Sequence, residues 1–277
     1  MEVLSTIADF RAARAKLGTL GLVPTMGALH EGHLGLVRAA KARCAAVAAT
    51  IFVNPLQFGP NEDFSRYPRT LPNDLKLLEA EGVDLVFTPT VDVLYPAGFA
   101  SRIEVGPIAD RLEGAVRPGH FAGVATVVAK LFAITRPDVA FFGQKDVQQT
   151  VVIRRMVADL DVDVAISVEP TAREADGLAR SSRNIYLDAG QRAQAPALYR
   201  ALMAADSAWA SGERNGDVLR DMMREIVEAQ TDGVIDYVSF ADPVALEEID
   251  RAGHAGGVLS LAVRFGTTRL LDNHILS

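Results

Sequence analysis

Two histidines three residues apart, His30 and His33, stand in the stretch Pro24-Thr25-Met26-Gly27-Ala28-Leu29-His30-Glu31-Gly32-His33. The apolar run Leu20 to Pro24 before it reads as a buried strand, and the pattern His33 to Cys44 after it as a helix. At such a junction, unpaired backbone N–H groups and the helix dipole favour an anion. Gly27 and Gly32 let a ligand approach the main chain, and paired imidazoles at a helix entrance can aim ring nitrogens at phosphate oxygens. Phosphate binding is the chemistry this spacing suggests. Two alternatives stand beside it. Zinc is one, although a helical metalloprotease pair has histidines four apart and no third ligand is evident here. A structural role for both rings is the other.

Further stretches carry polar side chains of similar kind, each with an ordinary reading of its own. Gly143-Gln144-Lys145-Asp146 lies at the end of Asp138 to Gly143, which reads as a strand, where a mobile ammonium suits phosphates but Asp146 equally suits a helix N-cap. Ser181-Ser182-Arg183 offers two hydroxyls and a fixed cation, or simply a polar loop. Gln57 and Gln149 are uncharged amides able to hydrogen-bond hydroxyl and carboxylate oxygens without strong cationic pairing. Asn61 to Asp63 reads as a capping or loop feature, and Arg117 and His120 flank a Pro118-Gly119 turn.

Taken in order, these segments resemble the pantothenate synthetase (pantoate–β-alanine ligase) family, within the His-x-Gly-His nucleotidyltransferase superfamily. The resemblance rests on Pro24 to His33, Phe52-Val53-Asn54-Pro55-Leu56-Gln57 with its continuation to Asp63, Arg117 to Val124, Phe141 to Gln149 and Asp176 to Asn184. The C-terminal hundred or so residues match only weakly. Two positions depart from the family pattern: Arg180 stands where Met or Leu is common, and Gln144 where Glu is frequent.

The resemblance implies that the carboxylate of pantoate attacks the α-phosphorus of ATP, and that the amine of β-alanine then displaces AMP from pantoyl adenylate. It implies His33 as proton donor, with His30 and Lys145 as the other catalytic groups. It assigns ATP to Met26, Gly27, Ala28, Leu29, His30, Glu31, Gly32 and His33, to Gly143, Gln144, Lys145 and Asp146, and to Ala172, Arg180, Ser181, Ser182 and Arg183. Pantoate falls to Gln57 and Gln149, β-alanine to Gln57, with Arg117 and His120 beside the pantoate. ATP chemistry also implies Mg2+, which prefers oxygen ligands and keeps several waters. Asp74 is the candidate ligand, although it reads equally as a first-turn helix residue. A homodimer is the family's usual assembly.

Strand-like and helix-like segments that could position these groups alternate through the first 170 or so residues: a strand at Ala45 to Asn54, a helix at Asn73 to Glu81, a strand at Asp84 to Thr88, a helix at Phe121 to Ile134, a helix at Asp146 to Asp159 and a strand at Val162 to Val168. Such alternation predicts an α/β fold, a Rossmann-like doubly wound parallel sheet whose ligands lie beyond the strand carboxyl ends. Helices at Ala189 to Gly212 and Asn215 to Gln230, then strands at Val234 to Phe240, Val258 to Val263 and Thr268 to Asn273, predict a second, smaller α+β domain. The expected division is 1–174 for nucleotide and pantoate, and 175–277 for a lid.

Composition agrees and excludes other classes. With 277 residues, 49% hydrophobic and 23% charged, the chain suits two globular domains rather than disorder. A net charge of −7 argues against a general nucleic-acid surface, while one small polyanion needs only a few directed donors. The single cysteine, Cys44, forbids an internal disulfide and multi-thiolate metal sites. No apolar run approaches the ~20 residues of a membrane span, and Glu2 and Asp9 stand where a secretory signal would be basic and then apolar. The expected location is the cytoplasm.

Overall fold

The computed structural model describes residues 1–277 apart from Asn61, Ala252, His254 and Ala255. Two compact units emerge, Met1–Gln144 with Val152–Pro170, and Lys145–Val151 with Thr171–Ser277. Lys145–Val151 and the residues from Thr171 to Glu174 thus group with the second unit, whereas the sequence suggested a single crossing after residue 174.

The first unit begins with β1 (Glu2–Leu4) and α1 (Ile7–Arg14), continues through β2 (Leu20–Thr25), α2 (Glu31–Arg43), β3 (Ala46–Ile51), α3 (Leu71–Ala80) and β4 (Leu85–Phe87), and passes two short helices, α4 (Val91–Leu94) and α5 (Glu113–Val116). It closes with α6 (His120–Thr135), β5 (Val139–Gly143), most of α7 (Val147–Asp159) and β6 (Ala165–Glu169). Its six strands are all parallel, in the order β1-β4-β3-β2-β5-β6.

Successive strand residues point to opposite faces, and two cores follow from that alternation. Leu20, Leu22, Ala46, Ala48, Leu85 and Phe87 pack with α1 and α6, whereas Val23, Val47, Ala49 and Val86 pack with α2 and α3. Neither β1 nor α1 was anticipated. A three-residue strand that is mostly exposed carries too little periodicity to read.

Chain order reverses between β2 and β5, the switch point at which open α/β sheets bind ligands. The β2–β3 ladder runs through Thr25 opposite Ile51, but β2 pairs β5 only at Gly21 and Leu22. Pro24, with no N–H to donate, is accommodated beyond the end of the β2–β5 pairing.

In the second unit, β7 (Val234–Ala241), β8 (Gly257–Phe265) and β9 (Thr268–Leu276) form an antiparallel sheet in sequence order. Phe240, Leu259, Leu261 and Val263 on these strands pack with Leu198 and Leu202 of α9 (Ala197–Ala210) and with Leu219, Met223 and Val227 of α10 (Gly216–Gln230). The single helix expected from Ala189 to Gly212 is two, α8 (Ala189–Gln194) and α9, because Pro196 interrupts it.

Candidate active site

The loop leaving β2 is held from inside. Gly27 (φ 81°) and Ala28 (φ 51°) are both left-handed, and a Cβ at Gly27 would lie 3.0 Å from Asp74 Oδ2. Asp74, in the first turn of α3, is fully buried. Its Oδ2 accepts from Ala28 N–H (3.1 Å), its Oδ1 from Leu29 N–H (2.9 Å), and the Thr70 hydroxyl lies 3.1 Å from both oxygens. The donor set does not fit the expected Mg2+ ligand: the carboxylate is committed to protein donors with no exposed edge.

His30 caps α2, which therefore starts at Glu31 rather than His33. His30 Nδ1 accepts from Gly32 N–H (3.2 Å), and His33 Nδ1 accepts from His30 N–H (3.3 Å), a reciprocal capping box built from two imidazoles. An Nδ1 that accepts places the ring proton of a neutral histidine on Nε2. The rings stack obliquely, centroids 4.2 Å apart. Gly27 N–H bonds Thr25 Oγ1 (3.2 Å) and His33 N–H bonds the His30 carbonyl (2.8 Å). The backbone donors from which the sequence suggested an anion cradle are thus mostly occupied, and the imidazoles carry Nε2–H in their place.

A second cluster fixes Gln57, in a 3-10 turn after β3. Asn54, 1% exposed, accepts from Leu56 N–H (3.3 Å) and the Tyr95 hydroxyl (2.8 Å), and donates to the Gly123 carbonyl (3.1 Å) and Gln57 Oε1 (3.0 Å). Backbone N–H and C=O have fixed polarity, so Leu56 and Gly123 decide which end of the Asn54 amide is which. The Gln57 oxygen therefore turns to Asn54, and its NH2 lies 3.2 Å from Met26 Sδ. Gly123 is required here, since a Cβ would meet the Leu56 carbonyl oxygen at 2.2 Å. The sequence reading gave no role to Asn54 or Tyr95. An Asn-Pro step at a strand end hints at the first, but nothing local marks the second.

Arg117 and His120 buckle the same turn. Arg117 forms a two-pronged pair with Glu62 (2.6 Å at both oxygens) and donates to the Gln57 carbonyl (3.3 Å). His120 Nδ1 lies 2.8 Å from that carbonyl, and its Nε2 lies 3.1 Å from Arg117 Nη1. Only a neutral ring with the proton on Nδ1 satisfies both. Burial, then the Arg117 charge, pushes the His120 pKa down to about 4. Burial raises that of Glu62, but the hydrogen bonds and charge of Arg117 outweigh it and hold the carboxyl below its ordinary range. Of the expected Asn61 to Asp63 feature, Asn61 lies outside the described residues.

Gly143 ends β5 and Gln144 opens the 3-10 turn after it, both in the first unit, whereas Lys145, Asp146, Gln149, Ala172 and Arg180 to Arg183 belong to the second. Lys145 Nζ lies 3.7 Å from Asp146 Oδ1, and the Lys145 carbonyl accepts from Asn273 Nδ2 of β9 (2.7 Å). Gln149 is half-buried on the first turns of α7. Arg180 N–H donates to the Ala172 carbonyl (2.9 Å), closing a small hairpin that Arg173 ties to buried Asp272 through two bonds (2.6 and 2.9 Å). Ser181 Oγ accepts from Arg183 N–H (3.2 Å) and caps the 3-10 turn Ser182–Tyr186.

A parallel sheet with paired imidazoles at its switch point defines a nucleotide-binding α/β protein of the His-x-Gly-His type. The comparisons identify the group within that class. The pantoate-beta-alanine ligase family profile matches residues 2–275. Pantothenate synthetase of Roseiflexus sp. (strain RS-1) is 60% identical over 277 residues, covering 100% of this chain and 99% of that one, and that of Chloroflexus aggregans is 58% identical over all of both. A crystal structure of pantothenate synthetase from Thermus thermophilus superposes with a TM-score of 0.95 at 48% identity over 99% of each chain. A Francisella tularensis pantoate-beta-alanine ligase, complexed with beta-gamma ATP and beta-alanine, gives 0.81 at 35% identity, over 99% and 97%. The chain belongs to the pantoate-beta-alanine ligase family.

Proposed function

We propose that the chain condenses pantoate with β-alanine in two steps, the pantoate carboxylate first displacing pyrophosphate from ATP and the β-alanine amine then displacing AMP from pantoyl adenylate. The reciprocal His30–His33 cap at the carboxyl end of β2 carries this reading. In adenylation, negative charge builds on the α-phosphoryl oxygens and the departing pyrophosphate, so preset donors do most of the work. His30 and His33 are assigned as those donors, with His33 the proton donor. Lys145, Ser181, Ser182 and Arg183 supply further donors and cations. Gln57 presents N–H to a substrate oxygen because its own oxygen is turned to Asn54, and Gln149 is its proposed partner on pantoate. At Gln57 the same polarity suits the carboxylate of β-alanine. Magnesium enters with ATP as part of the substrate, held by phosphate oxygens and water.

A homodimer acting in the cytoplasm completes the proposal; among the described residues no helix is long and apolar enough to cross a membrane. Incubation with ATP, Mg2+ and pantoate, with and without β-alanine, tests the chemistry. AMP release should require both organic substrates, and ATP turnover indifferent to pantoate would refute it. Light scattering on the purified protein checks the dimer.

A further inference from the structure

Asp74 is a fully buried carboxylate that the reaction itself does not consume. It belongs to α3, remote in sequence from the loop it grips, and its two oxygens meet the successive N–H groups of Ala28 and Leu29, the residues just before His30. Such a pair of N–H groups after a left-handed glycine is the kind of concavity that takes an anion. Here the protein fills it with its own carboxylate, with Thr70 donating from the other side.

We propose that Asp74 is a positioning residue for adenylation, an internal anion that fixes the β2–α2 loop and thereby aims the Nε2 atoms of His30 and His33. The inference rests on the reading that those two rings face the phosphates. The physical link is short. Ala28 at φ 51° is an unfavourable conformation for a residue with a side chain, and the bonds to Asp74 offset it. Leu29 then delivers His30 in the extended conformation that lets its ring cap α2 and its N–H meet His33.

Asp74→Asn replaces one acceptor by an NH2 group, so Ala28 or Leu29 N–H faces a donor. Thr70→Val keeps the carboxylate and removes only its side-chain donor, which makes it the milder variant if Asp74→Asn does not fold. Single-turnover formation of pantoyl adenylate at saturating substrates should fall on the order of 10- to 100-fold in Asp74→Asn, the scale of a misaimed catalytic group, and several-fold in Thr70→Val. The Mg2+ concentration for half-maximal rate should stay within about twofold of the parent. The ring 15N signals assigned to His30 and His33 should move from the Nε2–H tautomer toward a mixture. A large rise in the Mg2+ requirement with an unchanged rate at saturation would overturn the proposal in favour of metal ligation. Unchanged adenylation with only a lower melting temperature would overturn it in favour of a structural role. Normal turnover of His33→Ala would instead remove the reading of the histidines, whatever the spectrum shows.

Discussion

At the scale of single residues, the site is governed by which nitrogen or oxygen of an ambivalent side chain faces inward. The His30 and His33 rings accept at Nδ1, whereas His120 donates there. Identical side chains thus present opposite polarity because fixed backbone groups surround them. His33→Ala should lower the adenylation rate on the order of 10²-fold or more, the scale of losing one transition-state donor; stopped-flow measurement of pyrophosphate release checks this. His120 also makes stability depend on pH. The unfolded ring titrates near 6.5 and the folded one at about 4, so the unfolded state takes up the proton first. Its contribution is complete above about pH 6.5 and is lost as pH falls toward about 4. Glu62, held below its ordinary value, contributes above the unfolded carboxyl range and loses that contribution on further acidification. Urea midpoints measured across this range should fall with pH, and His120→Gln should flatten the upper part of the curve.

At the scale of elements, contacts between segments distant in sequence hold the loops. The turn after β3 rests directly on α6, with Gly123 giving its main chain room and the Asn54 amide its polarity. Gly123→Ala would drive a methyl group into the Leu56 carbonyl. It should raise the KM for pantoate and destabilise the fold by about 1–3 kcal/mol, the usual cost of overpacking. Steady-state kinetics alongside calorimetry separate the two effects, and a normal KM would show that the turn moves without carrying Gln57. Much of this element structure was legible in the sequence: α6 reads as a buried helix from its continuous apolar run, and the strands from theirs. The start of α2 was misplaced because a histidine is an unusual cap, and β1 was missed because its length gives no pattern.

At the scale of the whole molecule, the expected site residues divide between two bodies with separate cores. His30, His33 and Gln57 belong to one, and Lys145, Gln149 and Ser181 to Arg183 to the other. In the second body the Arg173–Asp272 pair is its best-buried ion pair among those described, with Asp272 side-chain exposure of 2% and the Arg173 guanidinium 4.3 Å from the Tyr199 ring centroid. Asp272→Ala leaves that cation without its carboxylate and should cost about 3 kcal/mol. Differential scanning calorimetry should show the loss in the transition that a core variant such as Leu202→Ala also lowers. An unchanged profile would mean that the pair contributes nothing net.

The sequence by itself determined the alternation that makes a parallel sheet, the order of the motifs that places the chain in its family, and the identity of the polar groups proposed to meet phosphate and pantoate. Those properties are local, written in periodicity and residue type. Tertiary structure alone decided how the groups are used. It turned Asp74 from a candidate metal ligand into the clamp of a loop, occupied backbone donors that looked available to an anion, and set the polarity of Gln57 through Asn54, Leu56 and Gly123. The physical reason is that hydrogen-bonding capacity belongs to a residue, but which partner takes it up depends on segments far away in sequence that folding brings within about 3 Å.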